Sequence, residues 1–426
     1  MRILLLGAGG FIGRHIVAEM LAHGHDVVAV ARKAGGLREA FPSIRVVERD
    51  LSGASRARGW SETLSGVDVI INAAGVLRGK DMQPVHVDMP RALYAAAAKA
   101  GVKRAVLISA ISARPDVATD YAKSKLAGEE VLRSSGVGWT ILRPSLVYGD
   151  GSYGGTSLMR GLAGLPWAIP IPGDGGFPFT PIHARDLAMA VRRVCEDEGF
   201  AGRVLEPAGP ETLSLRDMLA RYRSWLGFGR AHFLSVPLPI MSVLGQLGDR
   251  LGSGPVATNS LVQMIAGNAG DGEAFAAAIG FRPRSLDTFL RNHPAQVQDR
   301  WHARLFFVAP AIRGALALLW LASALLGFFC AQEMTQKLVS ALGRPVDWAD
   351  PLRIGSCLLD LAMAGLVLRN RDARLATVAQ LIVVLGYTVV IGTVLPDQWL
   401  DPLGPLLKNL PVLLLILVHG AIGDRR

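Results

Sequence analysis

The stretch Gly7-Ala8-Gly9-Gly10-Phe11-Ile12-Gly13 decides the fold of the first part of this 426-residue chain. It directly follows the apolar run 3–6, which is too short for the core of a signal peptide and is typical of a buried parallel strand. Glycines at such a junction let the backbone turn sharply and let a pyrophosphate approach, while the helix that follows offers free N–H groups. The context predicts a dinucleotide-binding turn. The alternative is a tight strand–helix turn that binds nothing.

Apolar runs of strand length then alternate with helical patterns. The runs cover residues 27–31, 69–73, 105–109 and 140–142, and the helical stretches cover 13–21, 90–100 and 121–134. This alternation predicts an α/β fold with a doubly wound parallel sheet. Residues 151–176 are rich in Gly and Pro, and we expect them to form substrate-side loops, because ligands in such folds bind beyond the carboxyl ends of the strands.

The apolar excess of the chain lies at its C-terminal end. Four apolar stretches occupy about 306–330, 352–368, 375–395 and 405–422. A spanning helix needs about 20 residues, so the first and third are long enough and the second and fourth are short. We expect a domain over 1–300, including a substrate-side region from about 150, and a four-helix transmembrane domain over 301–426. Four buried helices of a soluble protein are the alternative.

The basic residues between these stretches predict an orientation. They are Arg300, Arg304, Arg369, Arg371, Arg374, Arg425 and Arg426. By the positive-inside rule, we expect a multi-pass protein of the cytoplasmic (inner) membrane, with domain 1–300 and the C-terminus on the cytoplasmic side. Inside the predicted spans, Arg313 and Asp360 are expected to form an ion pair, because intramembrane charges usually pair. The alternative is that Arg313 extends to the membrane surface while Asp360 stays protonated.

Charge and cysteine content exclude other classes. The net charge of +10 is spread along the chain without a basic run that contains aromatic residues, so we predict no nucleic-acid partner. Cys195, Cys330 and Cys357 are too few and too scattered for a disulfide framework or a zinc site, and we predict no metal site.

Arg32 and Lys33 predict the cofactor. They end the second predicted strand, where an NAD site would place an acidic residue for the ribose hydroxyl. Arg32 can form a bidentate pair with a 2′-phosphate, so we predict NADP(H) over NAD(H); solvated surface charges are the alternative. Asp50-Leu51 follows the third strand, where a carboxylate can accept from the adenine amino group. Asn72-Ala73-Ala74-Gly75 ends the fourth strand beside the expected ribose.

Tyr121 and Lys125 are the candidate reaction centre. They are four residues apart in a predicted helix and therefore lie on one face. A nearby ammonium favours the phenolate, so we expect Lys125 to lower the pKa of Tyr121 from about 10. Tyr121 can then act as general acid or base on a carbonyl or alcohol, and Lys125 can also reach the nicotinamide ribose. A surface pair is the alternative.

Residues 1–295 resemble the extended and atypical short-chain dehydrogenase/reductase superfamily, which has a Rossmann fold. The resemblance is carried by Gly7-x-x-Gly10-x-x-Gly13, Asp50-Leu51, Asn72-Ala-Ala-Gly75, Tyr121-x-x-x-Lys125 and Leu142-Arg-Pro-Ser-Leu-Val-Tyr-Gly149. It implies a hydride-transfer site with Tyr121 and Lys125 as the catalytic pair and with Arg143-Pro144 near the nicotinamide. The C-terminal stretches resemble the DoxX-like membrane domain, which is found fused behind dehydrogenase-like domains.

Residues 107–116 are similar to one atypical branch, that of the NAD(P)H-binding accessory subunit of respiratory complex I and its bacterial relatives. Active extended members carry Ser or Thr where this chain has Ala110, and loss of that hydroxyl removes a preorganised donor. Ser109 or Ser112 can substitute. His86 stands where many relatives carry an active-site Asn; it is either a surrogate or a helix-start residue.

The sequence leaves two functions open. One is a membrane-anchored oxidoreductase that acts on a small hydrophobic carbonyl or alcohol from the lipid bilayer. The other is a non-enzymatic NADPH-binding assembly or sensing subunit of a respiratory-type membrane complex. Transport has least support, since discontinuous repeats are lacking. The candidate catalytic residues are Tyr121, Lys125 and Ser109, and the candidate cofactor-binding residues are Gly7, Gly9, Gly10, Phe11, Ile12, Gly13, Arg32, Lys33, Asp50, Leu51, Ala73, Ala74, Gly75, Tyr121, Lys125 and Pro144.

Overall fold

The computed structural model describes residues 1–53, 59–151, 153–250, 258–369, 372–401 and 404–423. The chain divides into two compact units, Met1–Ala303 and Arg304–Arg426. Of the basic residues that predict the orientation, Arg371, Arg425 and Arg426 lie outside the described residues.

The first unit is built on a seven-stranded sheet in which every pair of neighbouring strands is parallel. The strand order is β11-β6-β5-β4-β1-β2-β3, so the chain winds outward from β1 in both directions. The strands are β1 Arg2–Leu6, β2 Asp26–Ala31, β3 Arg45–Glu48, β4 Val69–Asn72, β5 Arg104–Ile108, β6 Gly138–Leu142, β7 Val147–Tyr148, β8 Ile169–Pro172, β9 Pro178–Phe179, β10 Ile182–His183, β11 Arg203–Leu205, β12 Leu213–Ser214 and β13 Phe233–Val236. The predicted doubly wound parallel sheet is confirmed.

Helices cover both faces of this sheet. Those of the first unit are α1 Phe11–Ala22, α2 Gly35–Ala40, α3 Met89–Lys99, α4 Asp120–Arg133, α5 Gly155–Ala163, α6 Ala184–Glu196, α7 Leu215–Trp225, α8 Leu238–Arg250, α9 Thr258–Ile265, α10 Gly272–Ile279 and α11 Leu286–Asn292. Ile16 of α1 and Val191 of α6 pack in one apolar cluster, and Leu93 of α3 and Leu132 of α4 pack in another. Strands buried on both faces explain why β1, β4 and β5 read as continuous apolar runs.

The part of the first unit beyond β6 forms a third apolar cluster, which includes Tyr148, Met218 and Phe289. Small sheets join β7 to β10, β9 to β12 and β8 to β13. The segment 151–176, which we expected to be loops, contains α5 and β8. Met159 and Ala163, four residues apart, are buried on one face of α5. Burial of this short apolar stripe stabilises a helix despite the glycines that flank it.

The second unit is helical. Its elements are α12 Val297–Cys330, which begins in the first unit, α13 Gln332–Ala341, α14 Ala349–Arg369, α15 Ala373–Val394 and α16 Asn409–Gly423. Within the described residues, three segments are long and apolar enough to cross a membrane, namely Val297–Cys330, Val346–Arg369 and Ala373–Val394. The fourth expected span is a shorter apolar helix of 15 residues, α16, because residues 405–408 form turns.

The predicted ion pair between Arg313 and Asp360 is wrong. The Asp360 carboxylate accepts hydrogen bonds from Ser323 Oγ at 2.6 Å and from Tyr387 Oη at 3.1 Å. Arg313 lies ten residues before Ser323 on α12, which is about 15 Å along a helix axis. Asp360 is therefore held by two hydroxyl groups from the neighbouring helices α12 and α15.

Candidate active site

The glycines after β1 are required by close backbone contacts. Gly7 has φ of 76°, and a Cβ there would lie 2.7 Å from the carbonyl oxygen of Ala73. A Cβ on Gly13 would lie 2.1 Å from the carbonyl oxygen of Gly7. The loop after β1 thus packs directly on the Ala73-Ala74 backbone after β4, and α1 packs directly on that loop. These contacts bring two of the predicted cofactor segments together.

The outer side of the same loop is open. Gly9 and Gly10 are exposed, and a Cβ on Gly9 would contact only Ala31 Cβ, at 3.7 Å. Gly10 is the N-cap of α1 and supplies no side-chain cap, so the N–H groups of the first turn keep their capacity for an anion. Phe11 stacks on Tyr153 with ring centroids 6.0 Å apart. Space, free donors and the positive helix end all suit a dinucleotide pyrophosphate.

Basic side chains lie next to this loop. Arg32 and Lys33 are exposed and directly follow β2, whose last residue, Ala31, faces Gly9. Arg14, which the sequence analysis did not single out, donates from Nε to the Gly9 carbonyl oxygen at 3.3 Å. Its position four residues after Gly10 in the first turns of α1 is the signal that would have found it.

Asp50 lies after β3 at the same edge of the sheet. Its Oδ1 accepts from the Ser52 N–H at 3.0 Å and from Ser52 Oγ at 2.9 Å. These hydrogen bonds, with a smaller contribution from the Arg32 charge, hold the pKa of Asp50 below its usual value. Asp50 is an exposed carboxylate that can accept further hydrogen bonds, whereas Leu51 is buried.

Tyr121 and Lys125 lie on consecutive turns of α4. The helix is capped by Thr119, whose Oγ1 accepts from the Ala122 N–H at 3.1 Å. Lys125 Nζ lies 5.9 Å from the Tyr121 ring centroid and donates to the Ile108 carbonyl oxygen at 3.1 Å. A Cβ on Gly75 would lie 3.3 Å from the same Nζ. The predicted reaction centre and the predicted ribose-side loop therefore meet at Lys125.

Burial sets the charge states of this pair. It raises the pKa of Tyr121 to about 12. It lowers the pKa of Lys125 to about 8, against an opposing effect of the Glu129 charge. The expectation that Lys125 lowers the pKa of Tyr121 is wrong for this structure, because loss of solvent outweighs an ammonium about 6 Å from the ring. At neutral pH the phenol keeps its proton and is a proton donor.

His86 is buried beside the pair, in a π-helical turn over Pro84–Asp88. Its Nε2 accepts from the Val76 N–H at 3.1 Å, and its Nδ1 lies 2.9 Å from Ser124 Oγ. The ring packs edge-on to Tyr121 with centroids 5.8 Å apart. Burial, with a smaller effect of the Lys125 charge, lowers the pKa of His86 to about 3. His86 therefore lies in the turn that leads into α3 and also contacts Ser124 and Tyr121.

Ser109 lies in a separate buried cluster. Its Oγ donates to Glu129 Oε1 at 2.7 Å. Arg143 donates to both oxygens of the same carboxylate, at 2.9 and 2.7 Å, and Arg133 donates at 2.9 Å. Burial raises the pKa of Glu129, but the hydrogen bonds from Arg143 and Ser109 outweigh it and hold the pKa below its usual value. Ser109 is thus directed at Glu129, and Arg143 at the same carboxylate.

Glu129 is a residue that the sequence analysis missed. It follows Lys125 by four residues on α4, and a carboxylate at that spacing lies on the same helix face. Of the other residues near Ser109, Ser112 is buried, and Pro144 is buried with its carbonyl oxygen accepting from the Ile111 N–H at 3.0 Å. In the part of the chain that the structure describes, no cluster of three or more His, Cys, Asp or Glu side chains could hold a metal.

Two family models match separate parts of the chain. The NAD(P)H-binding family matches residues 7–163, which contain the glycine loop, Gly75, Tyr121 and Lys125. The DoxX-like family matches residues 317–417, which lie within the second unit.

Curated relatives include reductases and a respiratory subunit. The chain is 30% identical over 261 residues to the chloroplastic divinyl chlorophyllide a 8-vinyl-reductase of Oryza sativa subsp. indica, covering 56% of this chain and 62% of that protein. It is 30% identical over 197 residues to ceramide reductase of Caulobacter vibrioides, covering 45% and 60%. It is 25% identical over 265 residues to the mitochondrial NADH dehydrogenase [ubiquinone] 1 alpha subcomplex subunit 9 of Mus musculus, covering 59% and 67%. The matches span about 60% of the length of the first two relatives.

Solved structures share the fold of the first unit. An NADPH-dependent quinone oxidoreductase from Escherichia coli, complexed with NADPH, is 22% identical with a TM-score of 0.56, and the match covers 68% of this chain and 99% of that one. A nucleoside-diphosphate-sugar epimerase from Staphylococcus aureus is 16% identical with a TM-score of 0.56, covering 68% and 100%. The expected resemblance is confirmed. The chain therefore matches the NAD(P)H-binding family in its N-terminal part and the DoxX-like family in its C-terminal part.

Proposed function

We propose that this chain is a membrane-anchored, NADP(H)-dependent oxidoreductase that reduces a carbonyl, or oxidises an alcohol, of a hydrophobic substrate. The proposal rests on the position of Lys125 Nζ, which lies next to Gly75 and one helical turn from Tyr121. This position lies beyond the carboxyl ends of β4 and β5, where ligands bind in sheets of this kind.

Each side chain has a distinct role in this proposal. When bound, the nicotinamide supplies the hydride. Tyr121, protonated at neutral pH, gives its hydroxyl proton to the substrate oxygen. Lys125 uses one of its three N–H donors on the Ile108 carbonyl oxygen, which leaves two for the ribose hydroxyls and for orienting the phenol. His86 and Ser124 hold the Val76 backbone and α4 at a fixed separation.

The preference for NADP(H) rests on Arg32, with Lys33 and Arg14 beside it. Arg32 is exposed beside the glycine loop, and its planar guanidinium suits a bidentate contact with a 2′-phosphate. We expect the full chain to bind NADPH at least about tenfold more tightly than NADH, since charged hydrogen bonds contribute about 1.5–3 kcal/mol. Arg32→Ser should remove most of that difference and leave NADH affinity unchanged, whereas Lys99→Ser, on exposed α3 surface, should change neither. Equal affinities in the wild type would contradict the preference.

The proposed membrane anchor favours a hydrophobic substrate, and the arginines near the spans favour one side of the membrane. The second unit places apolar spans in the same chain as the dinucleotide domain. Ceramide is a lipid, so the ceramide reductase relative is named for a hydrophobic substrate. The placement of Arg300, Arg304, Arg369 and Arg374 favours a cytoplasmic position for the first unit.

Turnover tests the proposal. The full chain in lipid nanodiscs would be mixed with NADPH and a panel of long-chain ketones, aldehydes and quinones, and NADPH oxidation would be followed by absorbance. Substrate-dependent oxidation supports an oxidoreductase. NADPH binding without oxidation across the panel favours the second candidate.

That second candidate is an NADPH-binding assembly or sensing subunit of a membrane complex. It is favoured by the Ser109 hydroxyl, whose proton is donated to Glu129, and by Ala110 at the usual donor position. The mouse relative is named as part of an NADH dehydrogenase subcomplex. Under this alternative, cells that depend on the protein would tolerate Tyr121→Phe but not Gly9→Val, which fills the open side of the glycine loop.

A further inference from the structure

We propose that the first unit rests directly on the lipid surface through four exposed apolar side chains, those of Leu234 of β13 and of Ile240, Val243 and Leu244 of α8. We call these four residues the bilayer-contact face. Leu234 is 59% exposed, Ile240 52%, Val243 63% and Leu244 45%. An isolated exposed leucine would need no explanation, but four large apolar side chains on consecutive elements do. The inference rests on the membrane anchor of the proposed function and is independent of the proposed chemistry.

A helix on a water-exposed surface normally buries its large apolar side chains, whereas α8 exposes three of them. Ile240, Val243 and Leu244 are spaced i, i+3 and i+4, so they share one face. Gly245 is buried on the opposite side, where a Cβ would lie 3.2 Å from the Thr258 backbone nitrogen of α9. The helix thus directs Ile240, Val243 and Leu244 away from the side on which Gly245 approaches α9.

Exposed basic and aromatic side chains occur on β13 or close to it in sequence or in the sheet. Arg216 is exposed and places its guanidinium 4.7 Å from the ring centroid of Phe233, the neighbour of Leu234. Arg230 is also exposed and lies three residues before Phe233. Trp167 is 86% exposed and lies two residues before Ile169, whose strand pairs with Phe233. Arginines beside an aliphatic face attract anionic headgroups, and tryptophan favours the membrane interface.

A lipid surface is the occupant that fits these features best. In the described part of the chain, three helices are long and apolar enough to cross a membrane, and one of them, Val297–Cys330, begins in the first unit. With the proposed anchor, a bilayer is therefore within reach of the first unit. Exposed aliphatic side chains with arginines and a tryptophan on nearby segments match the composition of interfacial helices, whereas a protein partner would need specific pockets for its anchor side chains. Contact at this face would hold the substrate-side part of the unit against the membrane.

A fluorescent label on the face tests the proposal in the full chain. Val243→Cys would be labelled with an environment-sensitive dye in a background in which Cys195, Cys330 and Cys357 are replaced by alanine. Ile240→Cys is a second label on the same face, in case one substitution disturbs folding. Ala95→Cys, at an exposed position of α3, is the matched control. Each protein would be placed in nanodiscs that contain anionic phosphatidylglycerol, with or without nitroxide-labelled lipid.

The expected result is a blue-shifted emission at positions 243 and 240, with a marked loss of emission from nitroxide lipid and little loss from aqueous iodide. The label at position 95 should show the opposite pattern. Strong iodide quenching at position 243, equal to that at position 95, would mean that the face lies in water and would overturn the proposal. A blue shift without quenching by either agent would mean that protein covers the face, and would overturn it equally.

Discussion

His86 Nδ1 lies 2.9 Å from Ser124 Oγ, so the loop after β4 is fastened to the helix that carries Tyr121 and Lys125. The Val76 N–H can only donate, so His86 Nε2 must be the unprotonated nitrogen. Nδ1 therefore carries the proton and donates to Ser124 Oγ, whose own proton goes to the Tyr121 carbonyl oxygen at 2.9 Å. A neutral histidine thus links the loop after β4 to the helix that carries Tyr121 and Lys125.

Removal of this ring should destabilise the first unit. His86→Ala removes the acceptor of the half-buried Val76 N–H and the donor to the Ser124 hydroxyl, and an unsatisfied buried group costs about 1–3 kcal/mol. We expect a lower free energy of unfolding in urea and weaker NADPH binding. His232→Ala, at an exposed position, is the control and should change neither quantity. A wild-type unfolding curve for His86→Ala would show that the hydrogen bonds contribute nothing.

His86 should also make stability depend on pH. The folded state protonates it near pH 3, because burial lowers its pKa from 6.5, whereas the unfolded state protonates it near 6.5. Acidification from pH 6.5 toward 3 therefore favours unfolding, by at most about 1.4 kcal/mol per pH unit for this residue. His86→Asn cannot titrate, so its free energy of unfolding should fall less steeply between pH 7 and 5. An identical slope in wild type and variant would show that His86 protonates normally in the folded protein.

His183 provides an independent comparison for this pH effect. Burial and then the Arg284 charge lower its pKa to about 3 as well, and it lies outside the candidate site at the start of α6. His183→Asn should reduce the same slope by a similar amount, and the double variant should reduce it by the sum. NADPH affinity at pH 7 should change in His86→Asn and stay constant in His183→Asn.

Glu129 should be among the most sensitive positions of the first unit. Its carboxylate is fully buried and compensates Arg143 and Arg133. Glu129→Gln leaves those guanidinium groups without a buried counter-charge, and removal of one partner of such a pair costs about 3–5 kcal/mol. The neighbouring Glu130→Gln, which is exposed, should change the free energy of unfolding by less than about 0.5 kcal/mol. Urea unfolding of both variants checks this, and similar losses in the two would refute the assignment.

In the second unit, Asp360 should be coupled to Tyr387 and not to Arg313. Asp360→Asn and Tyr387→Phe alter two partners of one hydrogen bond, so their effects on thermal unfolding in detergent should not add. Asp360→Asn and Arg313→Gln alter distant groups, so their effects should add within about 0.5 kcal/mol. Strong coupling between Arg313 and Asp360 would restore the ion pair expected from the sequence.

The sequence predicts the parts of this molecule that local pattern controls. The apolar run that becomes β1 and the glycines after it are sufficient to predict a buried strand followed by a dinucleotide-binding turn. The structure explains the glycines, because a side chain fits neither at Gly7 nor at Gly13. The spacing of Tyr121 and Lys125 similarly predicts their common face. Such features depend on a few consecutive residues.

Features that depend on tertiary contacts are not predictable in this way. The pKa of Tyr121 rises because surrounding elements exclude water, which a four-residue spacing does not reveal. Ser109, which follows β5, and Arg143, which follows β6, both donate to the Glu129 carboxylate of α4. This contact depends on how three separate elements pack. Asp360 meets Ser323 and Tyr387 through the packing of three helices, and hydropathy carries no information about which polar groups face each other.

Tyr121→Phe tests the proposed reaction most directly, by measuring turnover and NADPH affinity of the full chain in parallel. Phenylalanine retains the ring that packs against His86 but lacks the proton that the substrate oxygen would receive. We predict a fall in NADPH oxidation of about 10²–10⁴-fold at saturating substrate, with unchanged NADPH affinity and thermal stability. Turnover at the wild-type rate in Tyr121→Phe, with NADPH still bound, would contradict the account.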